Sequence, residues 1–421
     1  MHPSQAAAAA APGGEPRAGA AERTRMTADT GDRQATDLPL IIAMVARERG
    51  ITGVHTHVRQ LRGYLQRTGG RAELVTPHSW ATPGRWWRGP VLVPLFGARV
   101  VLERLYGPGN VWWYRSTHEH VLRTALRRVL ATQGPCIVYA QCPVSARAAL
   151  DARTGPDQRV VLAVHFRISQ ADEWADKGQI ARGGRVYGWI RDTERSVIPR
   201  VDGLVFVSAW ARDALVEWMP EAGRVRHTVI PNFVFLPPAS GPPAARGDLV
   251  TVGNLEAVKN HRYLLRVLAA ARQAGRRYTL DVFGEGVERG RLLALVDELG
   301  LGGQVRLLGF RTDVQDRLPG YRAYVHASYS ESSSLAIMEA MAAGLPPLSS
   351  SEGALSEIFH DPDEGRFWPI DDPEGAAVIL TTLLDDETEL RRAGLAAKAG
   401  FRSRYDADVV APRLLQFLRS S

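Results

Sequence analysis

The sequence predicts an α/β protein of two doubly wound domains that face each other across a cleft. A chain of 421 residues is long enough for two cores. Apolar runs alternate with helical segments, as in parallel sheets. The proline-rich stretch 237–247 breaks this alternation once, after which it begins again. We therefore expect an N-terminal domain over 37–236, a linker over 237–247 and a C-terminal domain over 248–402. A final helix over 403–421 either stays on the second domain or crosses back to the first.

The first domain begins with a continuous apolar run, Leu38 to Ala46, which is typical of a strand buried on both faces of a parallel sheet. A loop with Gly50 and Gly53 follows, and we expect the next helix to begin near Thr56. Loops at this edge of an open α/β sheet form ligand sites, although these glycines are equally typical of a simple turn. Further strands are predicted over 72–76, 136–141, 160–166, 203–208 and 225–231.

The second domain repeats the pattern, and each Rossmann-like half has its own set of strands. Strands are predicted over 248–255, 278–283, 305–310, 323–328 and 346–349. Helices are predicted over 260–273, 288–299 and 375–384.

Composition excludes several classes of protein. Residues 1–36 are rich in Ala, Gly, Pro and Arg without an aliphatic run, which predicts a disordered tail rather than a signal peptide. No apolar run reaches the roughly 20 residues of a membrane span, so we expect a cytoplasmic protein, soluble or peripheral at the membrane. The formal net charge is +7, but the basic residues are scattered among 45 acidic residues rather than gathered into blocks. This distribution does not favour a nucleic-acid partner. Cys136 and Cys142 are too few for a four-ligand metal site.

Lysine is rare in this chain, so each lysine is informative. Only Lys177, Lys259 and Lys398 occur among 52 basic residues. Lys259 follows the first strand of the second domain and the turn at Gly253 and Asn254, near the start of a helix. A flexible ammonium there suits a diphosphate, and the alternative is a solvated charge.

The stretch from Ala327 to Ser351 places two carboxylates around one helix. The serines at 332–334 are N-cap residue types, 335–343 is a run of helix formers, and Gly344 is suited to a left-handed C-terminal cap. Glu331 precedes this helix and Glu339 lies two turns inside it. The helix N-terminus offers amides to a phosphate, and carboxylates suit sugar hydroxyls. The alternative is two solvated helix charges.

This stretch resembles the signature of the family 4 retaining glycosyltransferases. The two Glu are eight residues apart, and the second is followed by Ala-Met-Ala-Ala-Gly-Leu-Pro. The resemblance extends from about Leu38 to the C-terminus and implies the GT-B architecture. It also implies transfer of a sugar from a nucleoside diphosphate to a hydroxyl acceptor with retention, without a cofactor or metal.

The family's functional residues map onto named positions of this chain. Lys259 and the amides of Ser334 and Leu335 would stabilise the diphosphate, Glu331 would bind the sugar and Glu339 the ribose. The resemblance also implies the donor-side positions Gly253, Asn254 and Phe310, a His165 beside the transferred sugar, and an acceptor loop at Gly53 and Val54.

This chain departs from the family pattern at two places. Asn254 stands where the family has an arginine. The three serines at 332–334 stand where the family has a segment that contains an apolar residue.

Two other functions fit parts of the pattern. A nucleotide-sugar epimerase can share the architecture, and a polyanion-binding protein would explain the basic pI. The acceptor stays open between a polysaccharide, a lipid carrier and a small natural product. The doublets Trp86-Trp87 and Trp112-Trp113 suggest either packing or a peripheral membrane contact.

Overall fold

Two parallel six-stranded sheets form the frame of this computed structural model. It describes residues 38–48, 50, 52–80, 107–235 and 246–420. The predicted tail, the doublet Trp86-Trp87 and most of the predicted linker lie outside these residues.

The first sheet belongs to the N-terminal domain and has the strand order β2-β1-β3-β4-β5-β6. Its strands are β1 (Leu40–Ala43), β2 (Ala72–Val75), β3 (Cys136–Ala140), β4 (Gln158–Val164), β5 (Gly203–Phe206) and β6 (His227–Val229). Its helices are α1 (Gly53–Arg67), α2 (Gly107–Leu130), α3 (Pro143–Leu150), α4 (Gln170–Asp176), α5 (Arg185–Val197) and α6 (Ala209–Trp218). All four residues of β1 are buried, as its apolar run predicts. The winding direction reverses between β1 and β3, which is therefore the switch point of this sheet.

The second sheet has the order β12-β11-β10-β7-β8-β9 and reverses between β7 and β10. Its strands are β7 (Leu249–Val252), β8 (Leu280–Phe283), β9 (Val305–Gly309), β10 (Ala323–His326), β11 (Pro347–Ser349) and β12 (Arg366–Phe367). Its helices are α7 (His261–Gln273), α8 (Arg289–Glu298), α9 (Val314–Arg317), α10 (Leu335–Ala342), α11 (Pro373–Asp385) and α12 (Glu387–Arg404). Each predicted strand is present but shorter at one or both ends.

The last helix, α13 (Ala407–Arg419), packs in the N-terminal core rather than on the second domain. Its side chains Val410, Leu414 and Leu418 are fully buried against strands of the first sheet. Where the chain crosses back, Val234 N donates to Tyr405 O at 3.0 Å and Ala407 N donates to Val234 O at 3.3 Å. The two segments that connect the domains are thus hydrogen-bonded to each other.

Two local predictions need correction. Gly53 and Val54 lie in the first turn of α1, not in a loop before it, because α1 begins three residues earlier than expected. Ser334 is the N-cap of α10, but its side chain makes no capping hydrogen bond. Gly344 has φ +81°, so the predicted left-handed C-terminal cap is confirmed.

None of the helices in the described ranges has the length and apolar character of a membrane span.

Candidate active site

Three side chains meet at the switch point of the second sheet. Lys259 ends a short 3-10 turn that follows β7, His326 ends β10, and Glu331 lies in the loop between β10 and α10. Lys259 Nζ donates to Glu331 Oε1 at 2.6 Å, and His326 Nε2 lies 2.6 Å from the same oxygen. The carboxyl ends of β7 and β10 thus bring together residues that are 72 positions apart.

The Glu331 carboxylate is buried and ionised. Only 8% of the residue is exposed. Burial alone would raise its pKa, but the Lys259 ammonium and His326 outweigh burial and lower the pKa to about 2. Both hydrogen bonds end on Oε1, so among the described residues Oε2 keeps its capacity to accept hydrogen bonds.

Backbone contacts fix the lysine turn against the glutamate loop. Val258 O accepts hydrogen bonds from Tyr329 N at 2.9 Å and from Ser328 Oγ at 3.0 Å. Asn260 has φ +50°, which ends the turn and starts α7. The approach of Lys259 to Glu331 therefore follows from the path of both loops and not from one flexible side chain.

Sequence reasoning missed two histidines, His326 in this cluster and His261 near it. His326 was predicted only as part of a strand, and His261 only as the start of a helix. His261 is 6% exposed, and its Nδ1 has no hydrogen-bond partner in the described part of the chain. Burial lowers its pKa to about 3, with His326 and Lys259 contributing, so the ring is neutral. A histidine at the end of a parallel strand is the signal that could have identified His326.

The predicted donor turn at Gly253 and Asn254 packs against the turn after β8. Gly253 N donates to Phe283 O at 2.9 Å. A Cβ on Gly284 would lie 1.9 Å from Gly253 O, and a Cβ on Gly286 would lie 2.3 Å from Leu255 O. These two glycines thus permit two backbone turns to touch, beside the Lys259 turn. Phe310, the predicted base contact, follows β9 and is 51% exposed.

The N-terminus of α10 lies just after Glu331. Ser334 is buried, and Ser333 Oγ is buried without a hydrogen-bond partner among the described residues. Glu339 Oε1, inside the helix, accepts from Gln315 Nε2 at 2.8 Å. Burial raises the pKa of Glu339, while this hydrogen bond and the charge of Arg59 on α1 oppose the rise. The structure therefore does not bring Glu339 into the Lys259 cluster but places it towards the other domain.

The N-terminal domain contributes His165, which directly follows β4. Its Nε2 lies 3.1 Å from Gln141 Oε1, which can only accept, so Nε2 carries the proton and Nδ1 is the acceptor. The His165 ring meets the edge of His57 at 4.8 Å between centroids. Burial, and then the nearby His57, hold the pKa of His165 well below its usual range. The predicted His165 is thus a neutral imidazole at the end of a strand.

Two contacts join the halves of the site across the cleft. Ser332 Oγ donates to the backbone oxygen of His165 at 2.6 Å. The Cβ position of Gly53 lies 4.0 Å from Leu335 Cδ1, so the first turn of α1 faces the first turn of α10. His165, Gly53, Ser332 and Leu335 therefore line one interdomain region. In the part of the chain that the structure describes, no group of three or more His, Cys, Asp or Glu residues could hold a metal ion.

Known proteins resemble both halves of the chain. Residues 52–232 match the family model described as glycosyl transferase 4-like domain, and 236–399 match that of glycosyl transferases group 1. A phosphatidyl-myo-inositol mannosyltransferase of Mycolicibacterium smegmatis is 26% identical over 375 residues, which cover 86% of this chain and 89% of the relative.

Solved structures share the fold at low identity. Sucrose-phosphate synthase of Thermosynechococcus elongatus has a TM-score of 0.68 at 19% identity, over 91% of this chain and 98% of that chain. Anabaena HepE in complex with UDP-glucose has a TM-score of 0.65 at 16% identity, over 91% of this chain and 100% of that chain. These matches confirm the GT-B architecture and favour neither an epimerase nor a polyanion-binding protein. The two family models together match most of the chain, and the chain therefore belongs to the group 1 glycosyltransferases.

Proposed function

We propose that this glycosyltransferase moves a sugar from a nucleoside diphosphate to a hydroxyl acceptor with retention at the anomeric carbon and without a metal ion. The observation that carries the proposal is the buried contact of Lys259 and His326 with Glu331, directly before the N-terminus of α10. Breaking the glycosidic bond leaves negative charge on the diphosphate. An ammonium and unpaired helix amides supply preorganised positive charge for it.

Each of these groups can form further hydrogen bonds to the nucleotide-sugar substrate. An ammonium has three N–H donors, and Glu331 occupies one of those of Lys259. Glu331 Oε2 is available to sugar hydroxyls, and the Ser334 side chain makes no capping hydrogen bond to the first turn of α10. In this proposal Glu339 accepts from the ribose hydroxyls. The leaving phosphate oxygen takes the proton of the acceptor hydroxyl.

His165 would act as a neutral hydrogen-bonding group beside the transferred sugar. Its pKa is held far below neutrality, so it does not bring a second positive charge to the site. Asn254 replaces the family's arginine, so Lys259 and the α10 tip would carry more of the diphosphate charge.

Donor and acceptor classes are proposed from the relatives. The Anabaena neighbour contains UDP-glucose, so UDP-sugars are the first donors to test. The mycobacterial relative is named for a phosphatidyl-inositol acceptor, which keeps lipid carriers beside polysaccharides and small natural products. Trp112 is 47% exposed at the start of α2, and a peripheral membrane contact there stays a prediction.

The test is a product analysis with a matched metal control. The protein is incubated with UDP-, GDP- and ADP-sugars and an acceptor panel, in EDTA and in Mg²⁺. Mass spectrometry identifies the product, and the anomeric coupling constant in the NMR spectrum gives its configuration. We expect transfer with the donor's configuration in both buffers. Inverted product, or activity that EDTA abolishes and Mg²⁺ restores, would contradict the proposal. Conversion of the donor without any acceptor would indicate an epimerase.

A further inference from the structure

A cavity of ≈ 150 Å³ lies at the switch point of the first sheet. Val45, just after β1, and Cys142, just after β3, form its floor, and α2 and α4 form its walls. Switch points of open α/β sheets are where ligands bind. Pockets for whole small molecules measure about 300–1,000 Å³, so this cavity suits only one end of a ligand.

Arg115 on α2 lines this cavity with unused hydrogen-bonding capacity. The residue is 3% exposed, and its Nη1 donates to Gln170 Oε1 at 2.8 Å. Its Nε and Nη2 are buried and have no partner among the described residues. These two nitrogens form one edge of the guanidinium, the edge that binds a carboxylate or phosphate through two parallel hydrogen bonds.

The nearest carboxylates are engaged elsewhere. Glu194 accepts from Ser169 Oγ and from Gln170 N, and Glu119 pairs with Arg147 at 2.5 Å. They lower the cost of the buried Arg115 charge through space but leave its donors unpaired. Leaving two donors of a buried charged group unpaired costs free energy. That cost is tolerated where a ligand supplies the missing hydrogen bonds.

Other walls of the cavity fit the same kind of ligand. Trp174 and Tyr114 present aromatic rings, and Lys177 adds a second positive charge at its mouth. Glu173 also lines the cavity and opposes an anion, but burial raises its pKa and so reduces the fraction that is charged.

We infer that this cavity binds the anionic end, carboxylate or phosphate, of a small acceptor through Arg115. The inference rests on the proposed function, because it assigns the chemical class of the acceptor. Cys142 follows Gln141, the hydrogen-bond partner of His165, so the cavity and the imidazole are linked through consecutive residues at the end of β3, and we expect an acceptor anchored here to extend towards the cleft. The acceptor hydroxyl would then face the donor sugar.

The test titrates inorganic phosphate, glucuronate and neutral glucose into the full chain by calorimetry, with UDP saturating so that the donor site takes no phosphate. We expect phosphate or glucuronate, and not glucose, to bind. The Arg115→Gln variant should bind that anion at least tenfold more weakly. Arg127→Gln, which changes an exposed arginine of the same helix, should bind it like the wild type. The anion that binds identifies the ligand group.

Stability and donor binding separate this role from a structural one. Arg115→Met removes a buried guanidinium whose Nε and Nη2 have no partner among the described residues, so its melting temperature should change little. Equal anion affinity in Arg115→Gln and wild type, or no anion binding to the wild type, would overturn the inference. A lower melting temperature of Arg115→Met with unchanged anion affinity would show a structural arginine. UDP affinity should be unchanged in all three variants. If UDP fails to bind the wild type, the proposed function is in error, whereas the anion titration still tests the cavity.

Discussion

The two sheets reverse their strand order at equivalent places, yet the two switch points carry different chemistry. At β7 and β10 the side chains form a charged cluster with an ammonium and a carboxylate in contact. At the cleft end of the first sheet the groups are neutral imidazoles, His57 and His165, and the buried Arg115 lines a cavity that neither of them lines. The second sheet thus presents charged groups at the cleft, whereas the first sheet presents uncharged imidazoles there and holds its arginine in a separate cavity.

This difference fits the two partners of a transfer reaction. A departing diphosphate always develops negative charge, which fixed positive groups must meet. An acceptor hydroxyl itself carries no charge, so the groups beside it at the cleft have only to position it. The following predictions test this division from the largest expected effect to the smallest.

Removing the Lys259 ammonium should give the largest loss of activity. Lys259→Met is expected to lower turnover by about 10²-fold or more, because the leaving diphosphate loses a preorganised charge. Steady-state kinetics with a UDP-sugar measures the effect. Lys398→Met, which changes a lysine on α12, should keep wild-type turnover. Full turnover in Lys259→Met would show that the ammonium does not take part in the reaction.

Acid should destabilise the neutral half. Burial lowers the pKa of His57 to about 4, so between pH 6.5 and 4 the unfolded chain binds a proton that the folded chain does not. Stability is therefore present at neutral pH and is lost as the pH falls through this window, by roughly 2–3 kcal/mol.

Urea unfolding at several pH values measures this loss. His57→Phe should reduce the loss of stability between pH 6.5 and 4, while His165 and His261 still contribute to that loss. Replacing His227, an exposed histidine of β6, should not reduce it. An unchanged profile in His57→Phe would show that His57 is not held neutral.

Glu339 should affect binding more than turnover. Glu339→Ala is expected to weaken UDP binding about tenfold, which is the loss of one or two hydrogen bonds to a carboxylate. Calorimetry measures the affinity, and Glu298→Ala on the exposed side of α8 is the control. Unchanged affinity would show that the ribose lies elsewhere.

The contact between the halves should give the smallest effect. Ser332→Ala deletes the hydrogen bond to His165 O, a neutral bond with a net contribution of about 1 kcal/mol. We expect a change of a few fold in turnover and little change in melting temperature. A loss as large as that of Lys259→Met would mean that the hydroxyl itself contacts the reacting groups.

The sequence was most informative where the site is local. Lys259, Glu331 and the α10 tip come from two short stretches whose loops carry recognisable glycine, serine and helix signals. Gln141 and His57 could not be identified in this way, because they meet His165 only after strands and helices from separate parts of the chain pack together. His326 was missed although its place at the end of a strand was a usable signal. The strand positions followed from apolar runs, whereas the start of α1 was placed too late because Gly53 and Val54 have weak helix propensity.

The paired crossing at Val234 and Tyr405 constrains how the cleft can open. A single connecting strand allows rotation about its own bonds, whereas two strands held together by hydrogen bonds behave as a flat ribbon. Such a ribbon bends about one axis and resists twisting. We therefore expect the two domains to separate by rotation about that single hinge axis. We also expect a closing movement about this ribbon to bring Ser332 Oγ and His165 O back to the same hydrogen bond.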